Sequence, residues 1–354
     1  MRLLLLGYFG FGNAGDEAIL EAEVAALRDA LGADTEFVVV SGDPAYTVST
    51  HGLPAISRTD ATGVVRALRT CDALVAGGGS LLQDVTSARP VPFYAGLMLM
   101  ARALRKPVFV YAQGLGPLHL PVNRLLTAAA LKSATYVALR DHDSLILAER
   151  LGVRGAELVA DPVLGLDHSA SGADPSGLAV SLRPWRGSAT WLPVVRSALA
   201  TLARDVDVAL VPYHARQDVV LARELSADLG GLRVVEPDQG GHRAAVDAVA
   251  GARAVLGMRL HALLVAAAAG RPFVALSYDP KVTAFAAQVG QPVAATLPGP
   301  IDQAALVTSV RKALEDSPDR PYLDRVARLR ATAARPADAI AAHLHRPSTS
   351  TLRD

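Results

Sequence analysis

The sequence predicts an α/β protein built as two domains, each with an open parallel sheet, and three observations carry that expectation. Its 354 residues exceed one compact core of ordinary size, which sets a prior of two domains. Short apolar runs alternate with segments of helical period almost from end to end, the signature of parallel sheets covered by helices. The rhythm stops once, at Gly165–Gly177 (GLDHSASGADPSG), a stretch of Gly, Ser, Asp and Pro that reads as a linker.

Before that linker the predicted strands are Arg2–Leu6, Glu36–Val40, Ala73–Ala76, Pro107–Tyr111, Thr135–Leu139 and Glu157–Val159. Helical patterns lie between them at Glu17–Leu31, Phe93–Leu104 and Ser144–Leu151. After it the strands are Leu178–Leu182, Asp207–Val211, Arg233–Val235, Ala254–Leu256 and Pro272–Leu276, with helices at Ala189–Ala203 and Leu260–Ala269. Beyond Gln288 the pattern blurs into terminal helices at Ile301–Leu314 and Tyr322–Ala334 and a polar tail. The expected division is therefore 1–165, a linker at 166–177, 178–320, and a carboxyl-terminal helix and tail at 321–354. Two such domains imply a cleft, and open parallel sheets bind ligands beyond the carboxyl ends of their strands.

Composition narrows the function classes. A hydrophobic fraction of 51% supplies two cores, and a formal net charge of +1 points to no nucleic-acid partner. Any anion must be met by a local cluster. Only four of the basic residues are lysines (Lys106, Lys132, Lys281, Lys312), so a lysine inside a motif draws notice. Cys71 is the single cysteine, which excludes an internal disulfide and a cysteine-rich metal site. The leucine run after Met1 is too short for a signal peptide or a membrane span, and the expectation is a cytoplasmic protein without a transmembrane segment. Contact with the inner face of a membrane remains compatible with it.

The chemistry-bearing motifs cluster at strand ends. Gly7–Glu17 (GYFGFGNAGDE) holds a formal G-x-G-x-x-G at Gly10, Gly12 and Gly15, in the context of a dinucleotide loop, with Asp43 as a candidate ribose carboxylate. Asp16 and Glu17, however, put negative charge where a phosphate would dock. A sugar-holding loop using Asn13 and Asp16, or a plain structural turn, is the competing reading. Gly77–Asp84 (GGGSLLQD) permits close backbone approach and adds Ser80, Gln83 and Asp84, while lacking the G-K-[ST] of a P-loop. Gln113–Pro117 (QGLGP) suits ligand contact or a rigid turn equally. Arg140 in RDHDS leaves a strand end and could be a ligand contact or a surface ion pair. In SLRPW, Trp185 after Arg183 could stack on a sugar or fill a domain interface. PYHARQD places His214 and Asp218 a turn apart, but no histidine or cysteine constellation suggests a metal. The sharpest pattern is GMRLH with SYDPK. Arg259 and His261 at a helix start, and Lys281 past the next strand, would make an anion site with a proton donor, although a lone helix-start histidine is often structural.

Taken together the motifs resemble the polysaccharide pyruvyltransferase family. The matching residues are GYFGFGNAGDEAIL, GGGSLLQD, QGLGP, RDHDS, ADP (Ala160–Pro162), SLRPW, GMRLHAL and SYDPK, in order from Gly7 to Lys281. The resemblance is strongest to the enzymes that pyruvylate secondary cell-wall polysaccharides in bacteria that anchor S-layer proteins. It implies two Rossmann-like domains facing a central cleft, as in GT-B glycosyltransferases, with the acceptor side in 1–165 and the phosphoenolpyruvate side in 178–320. It further implies pyruvyl transfer from phosphoenolpyruvate to a sugar of a cell-surface polysaccharide or its lipid-diphosphate-linked precursor, without a cofactor. On this sequence it assigns His261 as general acid and Arg140, Arg259 and Lys281 as the phosphoenolpyruvate cradle. Asn13, Asp16, Gly78, Gln83, Gln113, Arg183, Trp185 and His214 are then the candidates for contacting the acceptor or lining the cleft.

That chemistry suits the residue types. Arginines grip carboxylate or phosphate in pairs of hydrogen bonds, and an imidazole titrates near neutrality. Neighbouring cations would lower the imidazole's affinity for a proton, which bound substrate dianion would restore. Three rival readings stay open. They are a GT-B nucleotide-sugar glycosyltransferase or sugar epimerase, a non-catalytic glycan-binding module, and a nicotinamide dehydrogenase suggested by the glycine loop.

Overall fold

The computed structural model describes residues 1–85, 87–166, 174–236 and 241–345. It divides into two compact units, each a Rossmann-like α/β body, which places the chain in the GT-B-like class.

The first unit comprises Met1–Phe11, Ile19–Pro162 and the described residues from Ala331 onward. Its elements run β1 (Arg2–Phe9), α1 (Ala14–Leu31), β2 (Glu36–Ser41), α2 (Pro44–His51), β3 (Ala55–Ser57), α3 (Ala61–Thr70) and β4 (Ala73–Ala76). They continue with α4 (Pro90–Ala103), β5 (Val108–Gln113), α5 (Pro121–Ser133), β6 (Tyr136–Leu139), α6 (His142–Arg150) and β7 (Glu157–Leu158). The seven strands lie in the order β3-β2-β1-β4-β5-β6-β7, and every pairing is parallel. The leucine run that could have been mistaken for a targeting segment is an interior strand, β1. Leu3 to Leu6 pair with Phe37 to Val40 on one side and Ala73 to Ala76 on the other, and all four leucines are buried. A strand covered on both faces needs apolar residues at successive positions, which explains why this one shows no alternation.

The second unit holds Gly12–Ala18 and the described residues of Val163–Arg330. Its elements are β8 (Leu178–Ser181), α7 (Ser188–Leu202), β9 (Val208–Leu210), α8 (Asp218–Asp228), β10 (Arg233–Val234), α9 (Gly241–Ala250) and β11 (Ala254–Gly257). Then follow α10 (Leu260–Ala268), β12 (Phe273–Ser277), α11 (Pro280–Val289), β13 (Val293–Thr296), α12 (Gln303–Glu315) and α13 (Arg320–Ala333). The sheet order is β10-β9-β8-β11-β12-β13, again all parallel. Its core packs Trp191, Leu199 and Leu202 of α7 and Leu306 and Val310 of α12 against β8, β9, β11 and β12.

Both sheets reverse strand order at one place, between β1 and β4 in the first and between β8 and β11 in the second. Such switch points leave a crevice beyond the carboxyl ends of the strands, where open sheets take ligands. GYFGFG begins in β1 and runs past its end, GGGSLLQD follows β4, and SLRPW and GMRLH begin on the last residues of β8 and β11.

The strand expectations hold to within a residue or three at their ends, while β3 and β13 lie outside them. Both are short edge strands with half-buried residues, too weakly apolar to stand out. The chain's end also differs from the expected helix and tail. Helix α14 (Arg335–Leu344) buries Ala337 and Ile340 and packs on β5 and β6, with His343 edge-on to Phe109 at 5.5 Å. Part of the expected linker, 167–173, lies outside the described residues. No helix among the described residues is long and apolar enough to cross a membrane.

Candidate functional site

At the second unit's switch point, β11 ends at Gly257 and the chain turns through Met258 and Arg259 into α10. Arg259 has an extended backbone (φ −70°, ψ 122°), and its carbonyl accepts the N–H groups of Ala262 at 3.0 Å and Leu263 at 3.3 Å, so it opens the helix. Its guanidinium forms a two-point pair with Asp218, Nε to Oδ2 at 2.8 Å and Nη2 to Oδ1 at 2.6 Å. Asp218 is the first residue of α8 and also accepts the backbone N–H groups of Tyr213 at 3.2 Å and His214 at 3.0 Å. The Asp218 side chain is fully buried, whereas that of Arg259 is 11% exposed, so the carboxylate sits behind the guanidinium.

His261 lies two residues beyond Arg259, in the first turn of α10 and half-buried. Its imidazole rests against Gly15: a Cβ built on that glycine would fall 2.2 Å from His261 Nδ1. Lys281 occupies the first turn of α11, after β12, which pairs with β11. The Lys281 N–H donates to the capping Asp279 carboxylate at 3.0 Å. Arg183, past the end of β8, donates through Nη1 to the Tyr278 hydroxyl at 3.1 Å. Its guanidinium lies 5.2 Å from the Trp185 ring centroid and 4.8 Å from that of Tyr278, and the two rings meet edge to face at 4.8 Å. Buried Arg183 Nε has no hydrogen-bond partner among the described residues.

His214 sits on the loop between β9 and α8. Its Nδ1 accepts the Arg216 N–H at 3.3 Å, which in the neutral ring assigns the proton to Nε2. Burial lowers its pKa, and the nearby Arg259, Arg183 and Arg216 lower it further against the opposing pull of Asp218. The same loop binds the start of α1. The Ala14 N–H donates to the Tyr213 carbonyl at 2.7 Å, and the Ala215 N–H to the Gly12 carbonyl at 2.9 Å.

These contacts correct the dinucleotide reading of the glycine loop. The Gly15 N–H is directed to Asn13 Oδ1 at 3.2 Å and the Ala14 N–H to Tyr213, so these donors are not presented to a pyrophosphate. Asp16, bonded by the Asn13 amide, and Glu17 are both buried. Gly15 serves a different purpose, giving His261 the room that any side chain would fill.

At the first unit's switch point, the first two of the three glycines after β4 meet helix α1. Glu23 is fully buried and accepts the Gly78 N–H. A Cβ on Gly77 would lie 2.3 Å from Glu23 Oε2, and one on Gly78 3.0 Å from Ile19. The first two glycines therefore permit the approach of α1, and the Gly78 N–H is engaged inside the protein rather than presented to a ligand. Burial pushes the Glu23 carboxyl up to about 8, the Gly78 hydrogen bond opposing and the Asp161 charge adding to it. Glu23 Oε2, the Tyr111 hydroxyl and Gln113 Oε1 have no hydrogen-bond partner among the described residues.

Gln113 is likewise buried, its amide donating to the Ala76 carbonyl at 3.2 Å and clamping β5 to β4. Gln83 accepts the Val85 N–H at 2.8 Å within its own turn. Arg140, leaving β6, is no surface pair. Its side chain is 7% exposed, its guanidinium pairs with Asp161, itself 5% exposed, and it reaches Ser80 Oγ at 3.3 Å.

Sequence reasoning thus located both arginines but missed the carboxylates that hold them. Asp218 stood in view as a partner for His214, and Asp161 within ADP, without a signal that either faces a guanidinium. It also missed an aromatic and cationic cluster at the end of β1. Tyr8 stacks on Phe11 at 4.1 Å, and Arg58 lies 5.4 Å from the Phe11 ring and 4.4 Å from that of Phe93. The signal was present in GYFGFG, whose glycines drew the attention instead. Among the described residues no group of three or more His, Cys, Asp or Glu is arranged to hold a metal ion.

Comparison with solved structures finds UDP-GlcNAc 2-epimerase from Methanocaldococcus jannaschii at TM-score 0.64 and 13% identity, covering 96% of this chain and 99% of that one. Alr3699/HepE of Anabaena in complex with UDP-glucose matches at TM-score 0.59 and 18% identity, over 97% and 95% of the two chains. UDP-GlcNAc 2-epimerase from Neisseria meningitidis bound to UDP-GlcNAc matches at 0.61 and 12%, over 97% and 99%. At these identities the likeness is one of fold. A search of curated protein sequences found no match. The model of one family, polysaccharide pyruvyl transferase, matches residues 13–280, a span that holds Arg140, Arg259 and His261 and stops one residue before Lys281. The chain belongs to the polysaccharide pyruvyl transferase family.

Proposed function

We propose that this enzyme transfers the pyruvyl group of phosphoenolpyruvate to a sugar of a cell-surface polysaccharide or its lipid-linked precursor, forming a cyclic ketal and releasing phosphate. The observation that carries the reading is the start of α10. There Arg259, set against Asp218, and His261, set against Gly15, emerge together at the second sheet's switch point. His261 acts as the general acid, and Arg140, Arg259 and Lys281 hold the donor's phosphate and carboxylate.

In this scheme His261 gives a proton to the donor's methylene carbon, turning it into a methyl group and leaving an electron-poor centre at C2. One sugar hydroxyl attacks that carbon, and its proton restores the one His261 gave up. The bond from C2 to the phosphate oxygen breaks, a second hydroxyl of the same sugar closes the ketal, and phosphate leaves with the remaining hydroxyl proton. The cations offset the charge that gathers on the departing phosphate. The resemblance to enzymes acting on secondary cell-wall polysaccharide makes a glycan of that kind, exposed on the cell surface and used to anchor S-layer proteins, the acceptor proposed.

The test is His261→Ala. Turnover is expected to vanish, while phosphoenolpyruvate binding, followed by calorimetry, persists. Near-normal turnover in this variant would remove His261 from the reaction.

A further inference from the structure

The proposed donor site of the second unit, on which this inference rests, depends on a buried carboxylate behind Arg259. We propose that Asp218 is a positioning residue for the donor, acting through Arg259 and not by touching substrate itself.

Its two carboxylate oxygens receive four hydrogen bonds. Two come from the Arg259 guanidinium, at 2.8 and 2.6 Å, and two from the backbone N–H groups of Tyr213 and His214, at 3.2 and 3.0 Å. The Asp218 N–H returns to the His214 carbonyl at 2.9 Å, so the loop between β9 and α8 closes around the carboxylate. The negative charge also stands at the amino terminus of α8, where the helix dipole favours it. One fully buried carboxylate thus joins three elements: the His214 loop, the start of α8 and the start of α10.

The hydrogen-bond inventory of arginine gives this arrangement a direction. The pair engages Nε–H and one N–H of Nη2, which leaves both N–H groups of Nη1 and the second of Nη2 for other acceptors. A guanidinium gripped along one edge cannot swing or rotate, so its other edge stays fixed for a two-point contact with carboxylate or phosphate. Because the Arg259 backbone opens α10, a shift of this side chain also disturbs the turn that carries His261. The pair additionally tempers local charge. His214 feels Arg259, Arg183 and Arg216, with Asp218 as the opposing carboxylate.

Asp218→Asn keeps an acceptor for the two backbone N–H groups but confronts Arg259 with an amide. The expected result is a rise of about tenfold or more in KM for phosphoenolpyruvate, with KM for the glycan acceptor unchanged. A double-mutant cycle separates positioning from general structural damage: in an Arg259→Ala background, Asp218→Asn is expected to add less than about twofold. A full effect in that background, or a KM for phosphoenolpyruvate within about twofold of wild type for Asp218→Asn alone, overturns the proposal.

A second readout does not depend on activity. The Arg259 Nη2–H resonance in a nitrogen-15 spectrum is expected to be protected from exchange in the wild-type protein and to lose that protection in Asp218→Asn, where an amide nitrogen replaces Oδ1, the acceptor of Nη2, while the remaining oxygen keeps the two backbone N–H groups and Nε. Equal protection in both proteins overturns the proposal. Wild-type protein that releases no phosphate from phosphoenolpyruvate in the presence of the glycan acceptors contradicts the proposed function, and the spectrum then still judges the Asp218–Arg259 pairing.

Discussion

Glu23→Gln changes one proton site at a fully buried carboxyl beside the first unit's switch point, and its consequence follows from the structure. Glu23 has no exposed surface, and burial raises its carboxyl from the usual 4.5 to about 8. A carboxyl raised on folding stabilises the protein fully below its unfolded pKa and loses that contribution as pH climbs through the folded value. Wild-type stability should therefore fall between pH 4.5 and about 8 through this group. A tenfold change in proton affinity corresponds to about 1.4 kcal/mol, so the whole interval carries at most about 4 to 5 kcal/mol.

Glutamine keeps the acceptor for the Gly78 N–H and removes the titration. Its second amide proton must fit beside the Gly77–Gly78 backbone, which costs about 1–3 kcal/mol if unmet, but that penalty does not vary with pH. The diagnostic quantity is therefore the slope of the difference between the two proteins. Thermal unfolding from pH 5 to pH 8.5 should show the variant gaining on wild type by several degrees, at about 2–4 °C per kcal/mol. The gain should level off above pH 8. Parallel melting curves across that range would refute a buried, protonated Glu23.

Two further outcomes follow from single contacts. Gly15→Ala puts a methyl group where His261 Nδ1 lies 2.2 Å away, and the displaced imidazole should lower kcat by about 100-fold with circular dichroism unchanged. Full activity would separate the glycine from the reaction. Asp84 accepts the His119 N–H at 2.7 Å, the Leu120 N–H at 2.9 Å and the Asn123 amide at 3.1 Å. Burial pushes its carboxyl up, but these three hydrogen bonds outweigh it and hold the pKa below the usual carboxylate range. Asp84→Ala should cost about 1–3 kcal/mol near neutral pH, measured by urea unfolding, with turnover retained. Because a depressed pKa stabilises only the ionised form, wild type and variant should converge as pH falls through the Asp84 titration.

The sequence made the sheet interiors legible because a strand buried on both faces is written as an unbroken apolar run, as in Leu3–Leu6 or Val274–Leu276. Edge strands such as β3 lack that run, and the apolar stripe of α14 carries no local mark of the β5 and β6 surface it covers. At the candidate site the arginines and His261 could be read because they stand at strand ends beside glycines. Their partners could not. A glutamate on α1 reads as solvent-facing until the fold sets it under Gly77 and Gly78, and nothing local marks Asp218 as facing a residue 41 positions away. The glycines showed the same limit. Their conformational licence was visible, but the atoms they make room for, the Glu23 carboxyl and the His261 ring, come from elsewhere in the chain.

The proposed reaction turns on its donor, and the most direct measurement is product release from the wild-type protein given a panel of lipid-diphosphate-linked and aryl glycosides. With phosphoenolpyruvate, phosphate should appear in step with a pyruvylated glycan and only when the acceptor is present. With UDP-sugars no nucleotide should be released. Acceptor-dependent release of UDP, with phosphoenolpyruvate left intact, would contradict pyruvyl transfer and favour a nucleotide-sugar enzyme.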